Sequence, residues 1–177
     1  GKTTTKELIA AVLSTKYKLH FTRGNLNNEI GVPLTILSAP PDTEMMVIEM
    51  GANHQGEIMA LCEIARPDYG MITNIGLAHL EGFGGPEGVK KGKSEMYKYL
   101  ETNGGKIFLN TADDILFSLV KNPTAAILYN ANDYQTEPGE FLHLKDNAGH
   151  VYISHLVGAY NKANMVAAIS IGRYFGV

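Results

Sequence analysis

The chain has 177 residues, 45% of them hydrophobic and 19% charged, the make-up of an ordinary globular chain with one sizeable core and one domain. Fifteen basic against eighteen acidic side chains give a formal net charge of −3 without any Lys/Arg-rich block, which argues against a protein devoted to gripping nucleic acid. No run of about 18 apolar residues is present to span a membrane, and the single cysteine, Cys62, excludes an internal disulfide framework and suits a reducing compartment.

Gly1-Lys2-Thr3-Thr4-Thr5 matches the second half of the phosphate-loop pattern Gly-x-x-x-x-Gly-Lys-[Ser/Thr]. Gly1 has no Cβ to keep the backbone away from a phosphate. Lys2 supplies a point charge to the outer phosphates, and the Thr3 hydroxyl can complete a magnesium shell. Leu8 with Val12 and Ile9 with Leu13 recur at helical spacing, so a helix follows, and its free N-terminal amides favour an anion. An ordinary Thr-capped helix start is the alternative reading of these residues.

Tyr17, Leu19 and Phe21 alternate with polar residues as in a short strand. The stretch 24–33 sets three asparagines between two glycines. It reads either as a plain loop, since Asn and Gly tolerate left-handed backbone, or as a polar surface beside phosphates. Residues 45–50 form a nearly continuous apolar run, as in a strand buried on both faces of a parallel sheet. Glu49 interrupts that run near its carboxyl end, where ligands bind in open α/β sheets. A carboxylate there is costly unless paired, so Glu49 is expected to bind magnesium opposite Thr3, with a structural ion pair as the alternative.

Ile58, Leu61, Cys62 and Ala65 keep helical spacing until Arg66-Pro67 ends the pattern, and Cys62 reads as core rather than nucleophile. A strand over 69–75 runs into a glycine-rich loop carrying His79, which is either a ligand at the crevice or merely solvated. A helix over 86–101 carries Lys90, Lys91, Lys93 and Lys98, most simply as a solvated face. Strands over 106–110 and 125–129 flank a helix over 113–120, a rhythm that indicates a parallel sheet covered by helices. Residues 141–144 and 151–154 then read as an antiparallel hairpin around Asp146-Asn147-Ala148-Gly149. A final helix opens with Asn161 and Asn164 on one face, where N-capping is their simplest use. The expected fold is therefore α/β and P-loop NTPase-like: a mostly parallel sheet, helices on both faces and a small antiparallel hairpin region.

Together these stretches resemble the central ATP-binding domain of the Mur ligases, amide-forming enzymes of bacterial peptidoglycan synthesis. The residues that carry the likeness are GKTT at 1–4, GNLNNEIGVP at 24–33, EMGANHQGEI at 49–58, ITNIGLAHLEGFG at 72–84, KSE at 93–95 and GAYNKANMVAAI at 158–169. They span nearly the whole chain, and Tyr160 agrees with the D-alanyl-D-alanine-adding branch. The resemblance implies that a UDP-substrate domain and the start of the phosphate loop precede this segment and that a further domain follows it. It implies that Gly1, Lys2, Thr3 and Thr4 hold the ATP phosphates, and that Thr3 and Glu49 hold one magnesium. His79 would help to hold a second, supported by Lys93 after carbamylation by carbon dioxide. Asn161 and Asn164 would meet the adenine, with Asn164 the direct contact, while Asn25 and Asn28 would lie near the γ-phosphate or the acceptor.

The catalytic set implied is Lys2, Glu49, His79 and Lys93. The substrates implied are ATP, UDP-N-acetylmuramoyl-tripeptide and D-Ala-D-Ala, handled by a monomeric enzyme of the bacterial cytoplasm with no nucleic-acid or membrane partner. Folylpolyglutamate synthase and cyanophycin synthetase share the domain plan and stay open as alternatives, as does a nucleotide-binding module inactive in isolation.

Overall fold

The structure, a computed structural model, describes residues 1–76 and 80–177, with Leu80 described by its backbone alone. The chain runs α1 (Lys2–Leu13), β1 (Leu19–Phe21), α2 (Gly31–Leu37), β2 (Met45–Val47), α3 (Glu57–Ala65), β3 (Tyr69–Gly70), α4 (Leu80–Phe83) and α5 (Pro86–Asn103). It continues through β4 (Lys106–Asn110), α6 (Asp114–Ser118), β5 (Ile127–Tyr129), β6 (Tyr134–Glu137), β7 (His143–Asp146), β8 (Val151–Ile153) and α7 (Lys162–Tyr174).

Two parallel ladders carry the α/β part. β1 pairs with β2, Leu19 opposite Met45, while β4 lies between β3 and β5, with Tyr69 opposite Lys106 and Phe108 opposite Ile127. β4 shows why helices cover both faces, since successive strand side chains point to opposite sides. Ile107 and Leu109 pack with Tyr97 and Leu100 of α5 and Leu116 of α6. Phe108 points the other way, onto Ile9 and Leu13 of α1 and Ala168 and Ile171 of α7. The third sheet, β6-β7-β8, is antiparallel and lays Leu144 against Met165, Val166 and Ile169 of α7. The α/β class, the mostly parallel arrangement and the antiparallel hairpin all agree with expectation.

Between β2 and β3 the two parallel ladders face each other across a groove of about 810 Å³. Residues 45–50 line one side of it and residues 68–74 the other, with Ile9, Leu13, Ile171 and Phe175 below. Two expected strands stop short at their carboxyl ends. Ladder bonds end at Val47 rather than 50, where the partner strand β1 also ends and the Glu49 N–H turns to the Thr22 hydroxyl, and at Gly70 rather than 75.

Three elements were not anticipated, one of them α4, which takes up residues 80–83 of the expected glycine-rich loop. α2 occupies the end of the asparagine-rich stretch and continues through Pro33, which falls in the first turn, where its missing N–H breaks no helical bond. β6 precedes the hairpin and makes it three-stranded. Cys62 is fully buried, with its Sγ 3.9 Å from Met50 Sδ. Burial, aided by the nearby Glu95 and Glu63 charges, pushes its thiol up to about 12. It is a core residue, as expected.

Candidate functional site

The site gathers at the carboxyl ends of β1 and β2, around the first turn of α1. Helix α1 begins at Gly1 with no side-chain cap and no acidic residue in its first turn. Its opening amides therefore stay available to an anion. The Thr-capped alternative is not what forms, because the cap position belongs to Gly1. Lys2 and Thr3 are exposed at this end, and Thr4 is half-buried.

Glu49 is 6% exposed, held from two directions. Its backbone N–H donates to Thr22 Oγ1 at 2.9 Å, which anchors it to the end of β1. Its Oε1 accepts from Asn27 Nδ2 at 2.9 Å and from the Thr3 hydroxyl at 3.3 Å. Its Oε2 is buried and accepts no hydrogen bond from the described residues. An orphaned buried carboxylate oxygen is expensive, and beside a threonine hydroxyl it offers two hard oxygen ligands to a cation. Among the described residues no cluster of three or more His, Cys, Asp or Glu could hold a metal by itself. Magnesium suits such a sparse set, since it keeps several waters and completes its shell with substrate phosphates. The residues present fit the ion.

The structure adds partners that residue type did not disclose. Asn27, not Asn25 or Asn28, is the asparagine of the 24–33 stretch that reaches Glu49. Asn28 accepts from the backbone N–H groups of Ile30 and Gly31 and so caps α2, while Asn25 is exposed. Gly51 leaves room for this contact, because a Cβ there would lie 3.0 Å from Asn27 Oδ1. Lys6, which reads in sequence as one more polar residue of a helix, is 3% exposed. Its Nζ donates to the Thr22 carbonyl at 2.7 Å, pairs with Glu7 at 2.9 Å and stands 4.0 Å from Glu49 Oε2.

On the other side of Gly1, a Cβ would meet Asn74 Nδ2 at 3.2 Å, so Asn74 closes against the loop. Lys93 Nζ donates to the Asn74 carbonyl at 3.2 Å. Burial, with the Lys2 charge second, holds the Lys93 ammonium below its usual range. Lys93 thus faces the phosphate loop instead of belonging to a solvated face, whereas Lys91 is exposed. His79 lies outside the described residues, and so does any geometry for the second metal.

Asn161 and Asn164 open α7 without capping it: Asn161 occupies the cap position but makes no side-chain cap bond. Asn161 Nδ2 donates to the Val157 carbonyl, and Asn164 Nδ2 donates to Asn161 Oδ1, both at 3.0 Å. Asn164 Oδ1 lies 2.9 Å from the Thr5 hydroxyl. The two asparagines are therefore wired to the helix that follows the phosphate loop.

A phosphate-loop helix start, a hydroxyl and an orphaned carboxylate at the carboxyl ends of parallel strands define a nucleotide-binding α/β domain of the P-loop type. The chain belongs to a particular family of them, the one described as the Mur ligase middle domain, which it matches over residues 1–172. It is 39% identical over 184 residues to the UDP-N-acetylmuramoyl-tripeptide–D-alanyl-D-alanine ligase of Bacillus subtilis, an alignment covering 100% of this chain and 40% of that protein. Among solved structures, MurF from Acinetobacter baumannii superposes with a TM-score of 0.83 at 33% identity, covering 100% of this chain and 41% of that one. MurF ligase from Thermotoga maritima in complex with ADP gives 0.81 at 28% identity, covering 99% and 43%. The chain spans about two fifths of the length of these relatives.

Proposed function

We propose that this chain is the ATP-binding part of a ligase that joins D-Ala-D-Ala to UDP-N-acetylmuramoyl-tripeptide in peptidoglycan precursor synthesis. The observation that carries the reading is Glu49 Oε2, a buried carboxylate oxygen that accepts no hydrogen bond from the described residues, placed beside Thr3 at an uncapped helix start. The names of the similar ligases supply the substrates.

In this proposal Gly1, Lys2, Thr3 and Thr4 hold the ATP phosphates through backbone amides and the Lys2 ammonium. Magnesium, held by Thr3 and Glu49, neutralises phosphate charge when bound. The tripeptide carboxylate attacks the γ-phosphorus, forming an acyl phosphate as the bond to the ADP oxygen breaks. The D-Ala-D-Ala amine then adds to the acyl carbon, and the tetrahedral adduct loses phosphate and a proton to leave the amide. Phosphoryl transfer asks for alignment and charge neutralisation rather than for a protein nucleophile. Lys93, as a carbamate, and His79 are proposed for the second magnesium. Asn161 and Asn164 are proposed for the adenine, and Asn25 and Asn28 retain a proposed place near the γ-phosphate or the acceptor. Asn27 joins the set through its bond to Glu49.

The relatives are longer, and we propose that a UDP-substrate domain, the start of the phosphate loop and a further C-terminal domain complete the enzyme. The groove between β2 and β3 supports this, since it offers two strand edges and an apolar floor to one more strand. Without those parts the chain is proposed to bind nucleotide but not to ligate. The complete enzyme is proposed as a cytoplasmic monomer; among the described residues no helix is long and apolar enough to cross a membrane.

The test is calorimetry with ATP and magnesium on the chain and on Glu49→Gln. The variant should keep its fold and bind magnesium-ATP at least about tenfold more weakly, as expected when a charged ligand is lost from a metal shell. Equal affinities would remove Glu49 from the metal site.

A further inference from the structure

Lys6 is a charged residue in an unusual position. Its side chain is 3% exposed, and its ammonium stands 5.8 Å from the centre of the Phe21 ring and 4.0 Å from Glu49 Oε2. That separation is short enough for a strong Coulomb interaction and too long for a hydrogen bond. The reason is visible in the other contacts. The Thr22 carbonyl at 2.7 Å and Glu7 Oε1 at 2.9 Å take the ammonium protons, so Lys6 balances the charge of Glu49 without covering its free oxygen. Thr22 fixes both members of the pair, since its hydroxyl accepts from the Glu49 N–H while its carbonyl accepts from Lys6.

We propose that Lys6 is a built-in counter-ion that keeps the Glu49 site closed to free divalent cations until nucleotide arrives. This rests on the reading of Glu49 as a metal ligand. A cation approaching Glu49 Oε2 alone meets an ammonium a few ångströms away that is already balancing that carboxylate. In a poorly solvated pocket this repulsion is weakly screened. Triphosphate adds several negative charges on the same side, and the balance then favours the metal. The order that results is metal with nucleotide, not metal before it. Lys6 acts through Glu49 and is a positioning residue.

The experiment is a titration of the chain with Mn²⁺, following the free ion by electron paramagnetic resonance, without ATP and with ATP, the latter read against the same ATP and Mn²⁺ without protein. Without nucleotide, Lys6→Met should bind Mn²⁺ about tenfold or more tightly than the parent, the scale of removing one unit charge a few ångströms from the ion. Lys6→Arg should bind like the parent. Damage to the fold would weaken binding, so a gain of affinity separates the electrostatic role from a structural one. Should Lys6→Met fail to fold, Glu7→Gln gives the second reading. Loss of that exposed carboxylate leaves more of the Lys6 charge on Glu49, and nucleotide-free Mn²⁺ binding should weaken further. Unchanged or weaker binding by a folded Lys6→Met, or unchanged or tighter binding by Glu7→Gln, overturns the role of Lys6. No Mn²⁺ binding by the parent even with ATP overturns the metal reading itself.

Discussion

The Thr5 hydroxyl lies 2.9 Å from Asn164 Oδ1, although 159 positions separate the two residues in the chain. Thr5 Oγ1 is also 3.0 Å from the Gly1 carbonyl, and Asn164 passes the contact on to Asn161. The proposed phosphate end and the proposed adenine end of the site are thereby joined through side chains, an arrangement that would hold a base at α7 at a fixed distance from the loop proposed to take its phosphates.

Asn164→Ala removes an acceptor for Thr5 and a donor to Asn161 from a half-buried position. It should lower the free energy of unfolding by about 1–2 kcal/mol, the usual cost of unpairing such groups. ATP binding should weaken by about 1–3 kcal/mol while inorganic triphosphate binding barely changes. Calorimetry with both ligands decides the matter: equal losses would reduce Asn164 to a tether between α1 and α7.

Lys93 should be the carbon dioxide acceptor. The reaction needs a neutral amine, and burial beside Lys2 lowers the Lys93 pKa, so its neutral form appears at lower pH than that of an exposed lysine. Under ¹³C-labelled carbon dioxide at neutral pH, a carbamate carbon resonance is expected from the chain. Lys93→Ala should lose that signal and Lys91→Ala should keep it. A signal that survives in Lys93→Ala would assign the carbamate elsewhere.

The place of Glu49 beside Thr3 is legible in the sequence. Glu49 stood out because a single carboxylate interrupted an apolar run, a contrast that needs no tertiary knowledge. Lys6 gave no such contrast. Its neighbours Thr5 and Glu7 are polar, and only the packing of α1 onto Phe21 and Thr22 buries it. Asn27 hid among three asparagines of one stretch, whose roles differ by the direction each side chain takes at a turn. α2 was obscured by Gly31 and Pro33, which punctuate a sequence but are harmless in a first turn. β6 was missed because Gln135 and Thr136 are exposed and polar, and its strand character comes from pairing with β7.

Asp146 should make stability depend on pH. It sits at the β7–β8 turn and accepts from Arg173 of α7, from Tyr152 at 3.2 Å, and from the backbone and ring of His150 at 2.8 and 3.1 Å. Desolvation pushes this carboxyl up, but the bonds from Arg173, His150 and Tyr152 outweigh it and hold it well below the usual carboxylate range. A carboxyl depressed in the folded state contributes stability above its unfolded pKa and loses that contribution as pH falls through the folded one. Thermal melts of the parent and Asp146→Asn should therefore differ most near neutrality, begin to converge below about pH 4, the ordinary range for this group, and go on converging as pH falls towards the depressed folded value. A gap that is independent of pH would contradict this.

Two glycines should lose stability to alanine by different amounts. A Cβ on Gly88 would overlap the carbonyl oxygen of Phe83, where α5 crosses the turn of α4. Gly88→Ala should cost about 1–3 kcal/mol or more, since backbone must move to admit it. Gly104 ends α5 at φ +74° with open space around it. Its alanine variant should cost about 1 kcal/mol, from backbone conformation alone. Urea denaturation ranks the two, and a milder effect at Gly88 would show that the α4–α5 turn yields easily.

The buried sulfur of Cys62 equips the chain with a reporter. A thiol that titrates near 12 and is shielded by Met50 presents almost no thiolate at neutral pH, so alkylating reagents find nothing to attack in the folded state. Because the sequence contains no other cysteine, any modification dates an opening event in the layer where α3 packs against Val32, Ile48 and Met50. Labelling then acts as a clock for the breathing of that layer, and its slowing on addition of nucleotide would register occupancy at a distance, with no dye and no engineered residue.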